Sequence, residues 1–123
     1  MLPTVEFIHA RFGIALIVFA AVLGLLGGFQ LLTRRAAGGG FRAGYLLLWG
    51  LTLVQGLAGI GAYIGGARPR EILHVVYGVF AVLFLPGVYL FAGRRASDTE
   101  ATLLTLACWT VCIAYGRGIM TGT

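Results

Sequence analysis

The sequence predicts an all-α protein, a transmembrane four-helix up-down bundle forming a single domain over residues 1–123, and three observations carry that expectation. Apolar residues make up 59% of the chain and charged residues 11%, and mean hydropathy is +0.96. That is too apolar for a water-soluble core, so a bilayer has to be the solvent. Uncharged stretches at 12–33, 43–67 and 72–93 each have about the twenty residues a helix needs to cross hydrocarbon. The charges lie between those stretches. The net charge of +5 comes from nine arginines with no lysine, and arginines that flank apolar spans belong to a membrane protein rather than to a nucleic-acid surface.

The first helix is expected over 5–33, with Thr4 as its cap and Glu6 in its first turn, where a carboxylate opposes the helix dipole favourably. Its apolar run is too long for a signal h-region and no basic segment precedes it, so it reads as a retained helix. Arg34, Arg35 and three glycines at 38–40 break the chain before a second helix over 42–66. Gln55 lies mid-span there, and a lone amide in hydrocarbon ordinarily hydrogen-bonds a neighbouring helix. Gly65, Gly66, Arg68, Pro69 and Arg70 form the next break. A third helix over 70–93 then starts near Pro69, with Glu71 in its first turn. Arg94 and Arg95 precede a fourth helix over 99–119, whose uncharged run, 101–116, is short. It spans if Glu100 and Arg117 reach outward, or if Arg117 sits inside for a purpose. Cys108 and Cys112 fall one turn apart on this helix, a poor geometry for a disulfide, and read as packing residues.

Short connections make neighbouring helices antiparallel. The first and third loops then share a side and carry Arg34, Arg35, Arg42, Arg94 and Arg95. The positive-inside rule puts that side in the cytoplasm, with both termini on the non-cytoplasmic side of what reads as a prokaryotic inner membrane.

An internal repeat links the odd-numbered helices. Glu6-Phe-Ile-His9-Ala-Arg-Phe-Gly13-Ile aligns with Glu71-Ile-Leu-His74-Val-Val-Tyr-Gly78-Val, matching the rare Glu, His and Gly at fixed spacing. The pattern predicts a duplicated helical hairpin with a pseudo-twofold axis along the membrane normal. The second and fourth spans do not align in this way.

The histidines carry the chemistry. His9 and His74 each lie about one turn into a helix that starts on the outer side, so the imidazoles share a depth. First and third helices of an up-down bundle are diagonal, at roughly 1.4 times the 8–10 Å of helices in contact. Two imidazoles facing across that gap form an axial pair for one haem b, a ligand set that leaves no open coordination site and favours electron transfer. Gly13 and Gly78, four residues on, clear the helix face beside each ligand, with Phe12 and Tyr77 as aromatic neighbours; close helix packing accounts for either glycine taken singly. Arg11 and Arg117 are candidate partners for propionates, with Arg68 and Arg70 nearby and snorkelling as the competing role. Glu6 and Glu71 either handle protons beside the histidines or cap their helices.

Across residues 6–78 the chain resembles one four-helix half of the haem A synthase family, through Glu6-x-x-His9, Gln55-Gly-Leu-Ala-Gly59 and the later His74. The resemblance implies a bis-histidine haem b pocket held by His9 and His74, with Glu6 at the position of the family's functionally important glutamate. Ala10 stands where the family usually has arginine directly after histidine. The chain has one half rather than two, and the extracellular cysteine pair of many members is absent.

Three functions follow as alternatives. The first is a membrane b-type cytochrome exchanging electrons with a quinone or redox-protein partner, alone, as a homodimer or within a larger respiratory or photosynthetic complex. The second is a haem A synthase-like haem-modifying enzyme acting as an oligomer. The third is a cofactor-free structural subunit.

Overall fold

The computed structural model describes residues 2–34, 38–66, 72–93 and 97–122, with side chains over 7–33, 38–66, 72–93 and 98–121. Four helices account for nearly all of them: α1 Leu2–Arg34, α2 Gly39–Ile64, α3 Leu73–Ala92 and α4 Ser97–Gly122. Each holds a segment long and apolar enough to cross a membrane, Phe7–Thr33, Gly39–Ile64, Leu73–Ala92 and Asp98–Thr121. At a rise of about 1.5 Å per residue even the shortest reaches about 30 Å. Outward-facing Leu32, Leu57, Ile64, Leu83 and Leu90 are all more than half exposed, as lipid-facing residues are. The protein is an all-α membrane bundle.

The helix ends refine the expected boundaries. α1 is already helical at Leu2, so Pro3 falls in the first turn, where its missing N–H is no loss, and Thr4 is inside the helix rather than its cap. α2 starts three residues early because Gln30 Oε1 accepts the Gly38 N–H at 2.7 Å and pins the turn. It stops at Ile64, where Gly65 N–H bonds Gly61 O and Gly66 takes a positive φ of 110° that favours glycine. α4 outruns its short uncharged core at both ends. Asp98 and Glu100 occupy its first turn, favourable for the dipole, while Thr102 and Thr121 hydroxyls bond back to Asp98 O and Arg117 O. The expected helix start at Pro69 and Glu71 lies outside the described residues.

α1 packs on α2 and α4, and α3 packs on the same two, so α1 and α3 occupy opposite corners as an up-down bundle requires. Small residues bring the helices close. An added Cβ at Gly24 would sit 2.5 Å from the Trp109 indole, and one at Gly44 would sit 2.7 Å from Leu23. The two repeat copies carry stripes at matching positions, His9–Gly13–Leu16–Ala20 on α1 and His74–Gly78–Ala81–Leu85 on α3, with Gly13 buried and Gly78 exposed. The four at the buried end of those stripes, Leu16, Ala20, Ala81 and Leu85, are all within 1% of complete burial.

The α2–α3 seam is the thinnest of the four, and side chains of α2 reinforce it. Pro86 inside α3 has no N–H to give the carbonyl four residues back, Val82 O. Trp49 Nε1 supplies the missing donor at 3.1 Å, and Tyr45 OH donates to Leu85 O at 2.6 Å.

Polar contacts between diagonal helices stack along the bundle axis. Arg42 of α2 pairs with Glu100 of α4 at the end where the first and third loops emerge. Farther along, Thr52 of α2 meets Tyr115 of α4 at 2.5 Å, the Thr52 hydroxyl also bonding Leu48 O. The opposite end of the axis holds the histidines.

Candidate functional site

His9 and His74 sit at the ends of the two inner stripes, and both helices run in the same direction, so both imidazoles turn to the axis at one depth. Their ring centroids are 5.7 Å apart, with the planes at 76°. Two side chains from opposite corners of the bundle thus meet where the helices begin.

Neighbouring helices fix the two rings differently. His74 Nδ1 lies 2.7 Å from Gly118 O. The same α4 carbonyl also accepts the Thr121 hydroxyl at 3.2 Å. A carbonyl only accepts, so Nδ1 carries a proton and donates. His9 instead lies against α2. A Cβ at Gly59 would stand 2.9 Å from His9 Cε1, so only glycine lets the α2 backbone come this close to the ring. One turn earlier on the same face of α2, Gln55 Nε2 donates to His9 O at 2.7 Å. The helix-bridging role expected of a lone intramembrane amide is therefore what Gln55 performs, with the histidine's own backbone as acceptor. Gly13 makes the approach feasible, since a Cβ there would be 3.3 Å from Gln55 Nε2. Two atoms at this junction are buried without a hydrogen-bond partner, His9 Nδ1 and Gln55 Oε1.

The remaining sequence candidates separate. Gly13 is buried between α2 and α4, and Phe12 packs beside it against the core. Gly78 is exposed with no atom within 4 Å of an added Cβ, so the two repeat glycines do different work. Tyr77 is half-buried. Arg11 is exposed, its guanidinium 5.2 Å from the centre of the Phe7 ring. Arg117 is exposed on α4 near the histidine end. Glu71, Arg68, Arg70 and the Glu6 side chain lie outside the described residues. Cys108 is a free thiol in the core; Cys112, also free, has its Sγ 3.6 Å from Ile17 O.

Among the described residues no three His, Cys, Asp or Glu side chains gather closely enough to hold a metal ion by themselves. The surface clefts beside Asp98 and Thr102, and between Phe80, Phe84 and Leu103, lie away from the histidines. Sequence reasoning passed over Gly118, which no motif marks, while Gly59 was visible only as part of the Gln55 segment. The chain matches no protein-family model, no curated protein and no solved structure.

Proposed function

We propose that this chain is a small b-type cytochrome of a prokaryotic inner membrane, carrying one haem b between His9 and His74 and passing electrons between a quinone or redox-protein partner and a second carrier. The observation that carries the reading is the meeting of two imidazoles across the bundle diagonal. Their ring centroids are 5.7 Å apart, and the two imidazoles would hold one haem iron between them.

Gly59 and Gly118 bring the backbones of α2 and α4 against the two rings. The bond from His74 Nδ1 to Gly118 O leaves Nε2 as the ligating atom, the arrangement in which metal-bound imidazoles are held. Arg11 and Arg117, exposed at the same end, offer guanidinium groups to propionate carboxylates at the membrane surface. Haem supplies a one-electron couple, and two imidazole ligands suit it to electron transfer because no coordination position stays open. The chain's own residues hold the ligands at one depth, orient their rings and keep water from the apolar middle of the bundle.

Expression in a haem-competent host and purification in detergent tests the reading. We expect one extractable haem b per chain and a low-spin ferric spectrum of bis-imidazole type by electron paramagnetic resonance. A protein that purifies folded and haem-free, and stays so on titration with haem, would refute it.

A further inference from the structure

We infer that Gln55 is the positioning residue of His9, its side-chain oxygen serving the Nδ1 proton of His9 as the Gly118 carbonyl serves that of His74. The inference rests on the haem reading and adds to it a residue outside the ligand pair.

The two halves of the site are unequal as they stand. His74 has its Nδ1 acceptor in place at 2.7 Å, whereas His9 Nδ1 is buried and unpartnered. A buried polar atom left without a hydrogen-bond partner is destabilising. A second unpartnered atom, the acceptor Gln55 Oε1, is buried at the same junction. Both belong to groups already in contact, because Gln55 Nε2 is bonded to the His9 carbonyl, and the next residue on that face of α2, Gly59, abuts the His9 ring. The Gln55 amide is anchored on the His9 backbone, so the orphan ring nitrogen and the orphan amide oxygen share one helix junction and complete each other when the imidazole turns toward the amide. The paired state makes His9 the Nδ1–H tautomer and frees Nε2 for iron. Gln55 then uses both ends of its amide on one residue, Nε2 on the backbone and Oε1 on the ring. The pseudo-twofold relation of His9 and His74 is satisfied by unlike acceptors, a side-chain amide on one side and a backbone carbonyl of α4 on the other.

The test compares Gln55→Glu, Gln55→Leu and Gln55→Asn with the haem-loaded wild-type protein, reading haem affinity, midpoint potential and the low-spin resonance signal. A carboxylate accepts the Nδ1 proton more strongly, makes the imidazole a better donor to ferric iron and lowers the potential. Leucine removes the acceptor, raises the potential and weakens haem binding by about 10- to 100-fold, the usual effect of losing a ligand's hydrogen-bond partner. Asparagine is too short to reach and follows leucine. Circular dichroism on each variant reports retention of the helices, and the apolar leucine is readily accommodated in a membrane bundle. Potentials and spectra of all three variants equal to wild type would overturn the inference while leaving the haem assignment standing. A wild-type protein without haem would instead overturn the reading beneath it.

Discussion

Glycines that look alike in the repeat differ in what surrounds them, which sets the first prediction. An added methyl at Gly59 meets His9 Cε1 at 2.9 Å and one at Gly13 meets Gln55 Nε2 at 3.3 Å, while at Gly78 it meets nothing. Gly59→Ala and Gly13→Ala therefore lower the thermal midpoint in detergent. Gly78→Ala leaves it unchanged or raises stability by up to about 1 kcal/mol through helix propensity. Equal effects at all three positions would contradict the packing described. The pairing of Arg42 with Glu100 is a second residue-scale case. The Arg42 side chain is 40% exposed and that of Glu100 13%, so screening by water and headgroups keeps the contribution small. Glu100→Gln is expected to destabilise by no more than about 1 kcal/mol in a chemical unfolding titration.

The α2–α3 seam gives the element-scale prediction. Trp49 donates to the carbonyl that Pro86 leaves without its helical donor, so the worth of the indole N–H depends on the proline. In a double-mutant cycle, Trp49→Phe costs more in the Pro86 protein than in Pro86→Ala, where the new N–H at position 86 takes over Val82 O. Interhelical hydrogen bonds in membranes average about 0.6 kcal/mol and reach about 1.7 kcal/mol, and the coupling should fall in that range. A coupling of zero would mean that Trp49 acts by volume alone. Elements were also what the sequence made most legible. Uncharged runs bounded by Arg-Arg pairs and glycines located all four helices, because hydrocarbon thickness and charge exclusion act on composition directly. Helix ends were less legible, since they are set by single contacts such as Gln30 with Gly38 that no local pattern encodes. The histidines and their shared depth followed from the repeat. The contacts around them did not, because Gly118 offers only a backbone carbonyl and the bond from Gln55 Nε2 to His9 O depends on how α2 packs on α1.

For the whole molecule, the stack of diagonal contacts gives the bundle two unlike ends, an ion pair beside the arginine-rich loops and a histidine pair at the other. The orientation we propose, with the arginine-rich loops in the cytoplasm, puts the histidine end on the non-cytoplasmic face. Single cysteines introduced at Ala36 and at Ala96, with Cys108 and Cys112 replaced by alanine, are then shielded from a membrane-impermeant maleimide in intact cells and react after permeabilisation. Labelling in intact cells would reverse the orientation and place the histidines at the cytoplasmic surface.

Whether the two histidines hold one haem between opposite corners of the bundle is read from the visible spectrum of the dithionite-reduced protein beside that of His9→Ala and His74→Ala. The wild-type protein is expected to show a sharp α-band of six-coordinate haem b, lost or replaced by a five-coordinate spectrum in each variant while helical content is retained. A wild-type spectrum without that band, or a band that survives either substitution, would contradict that arrangement.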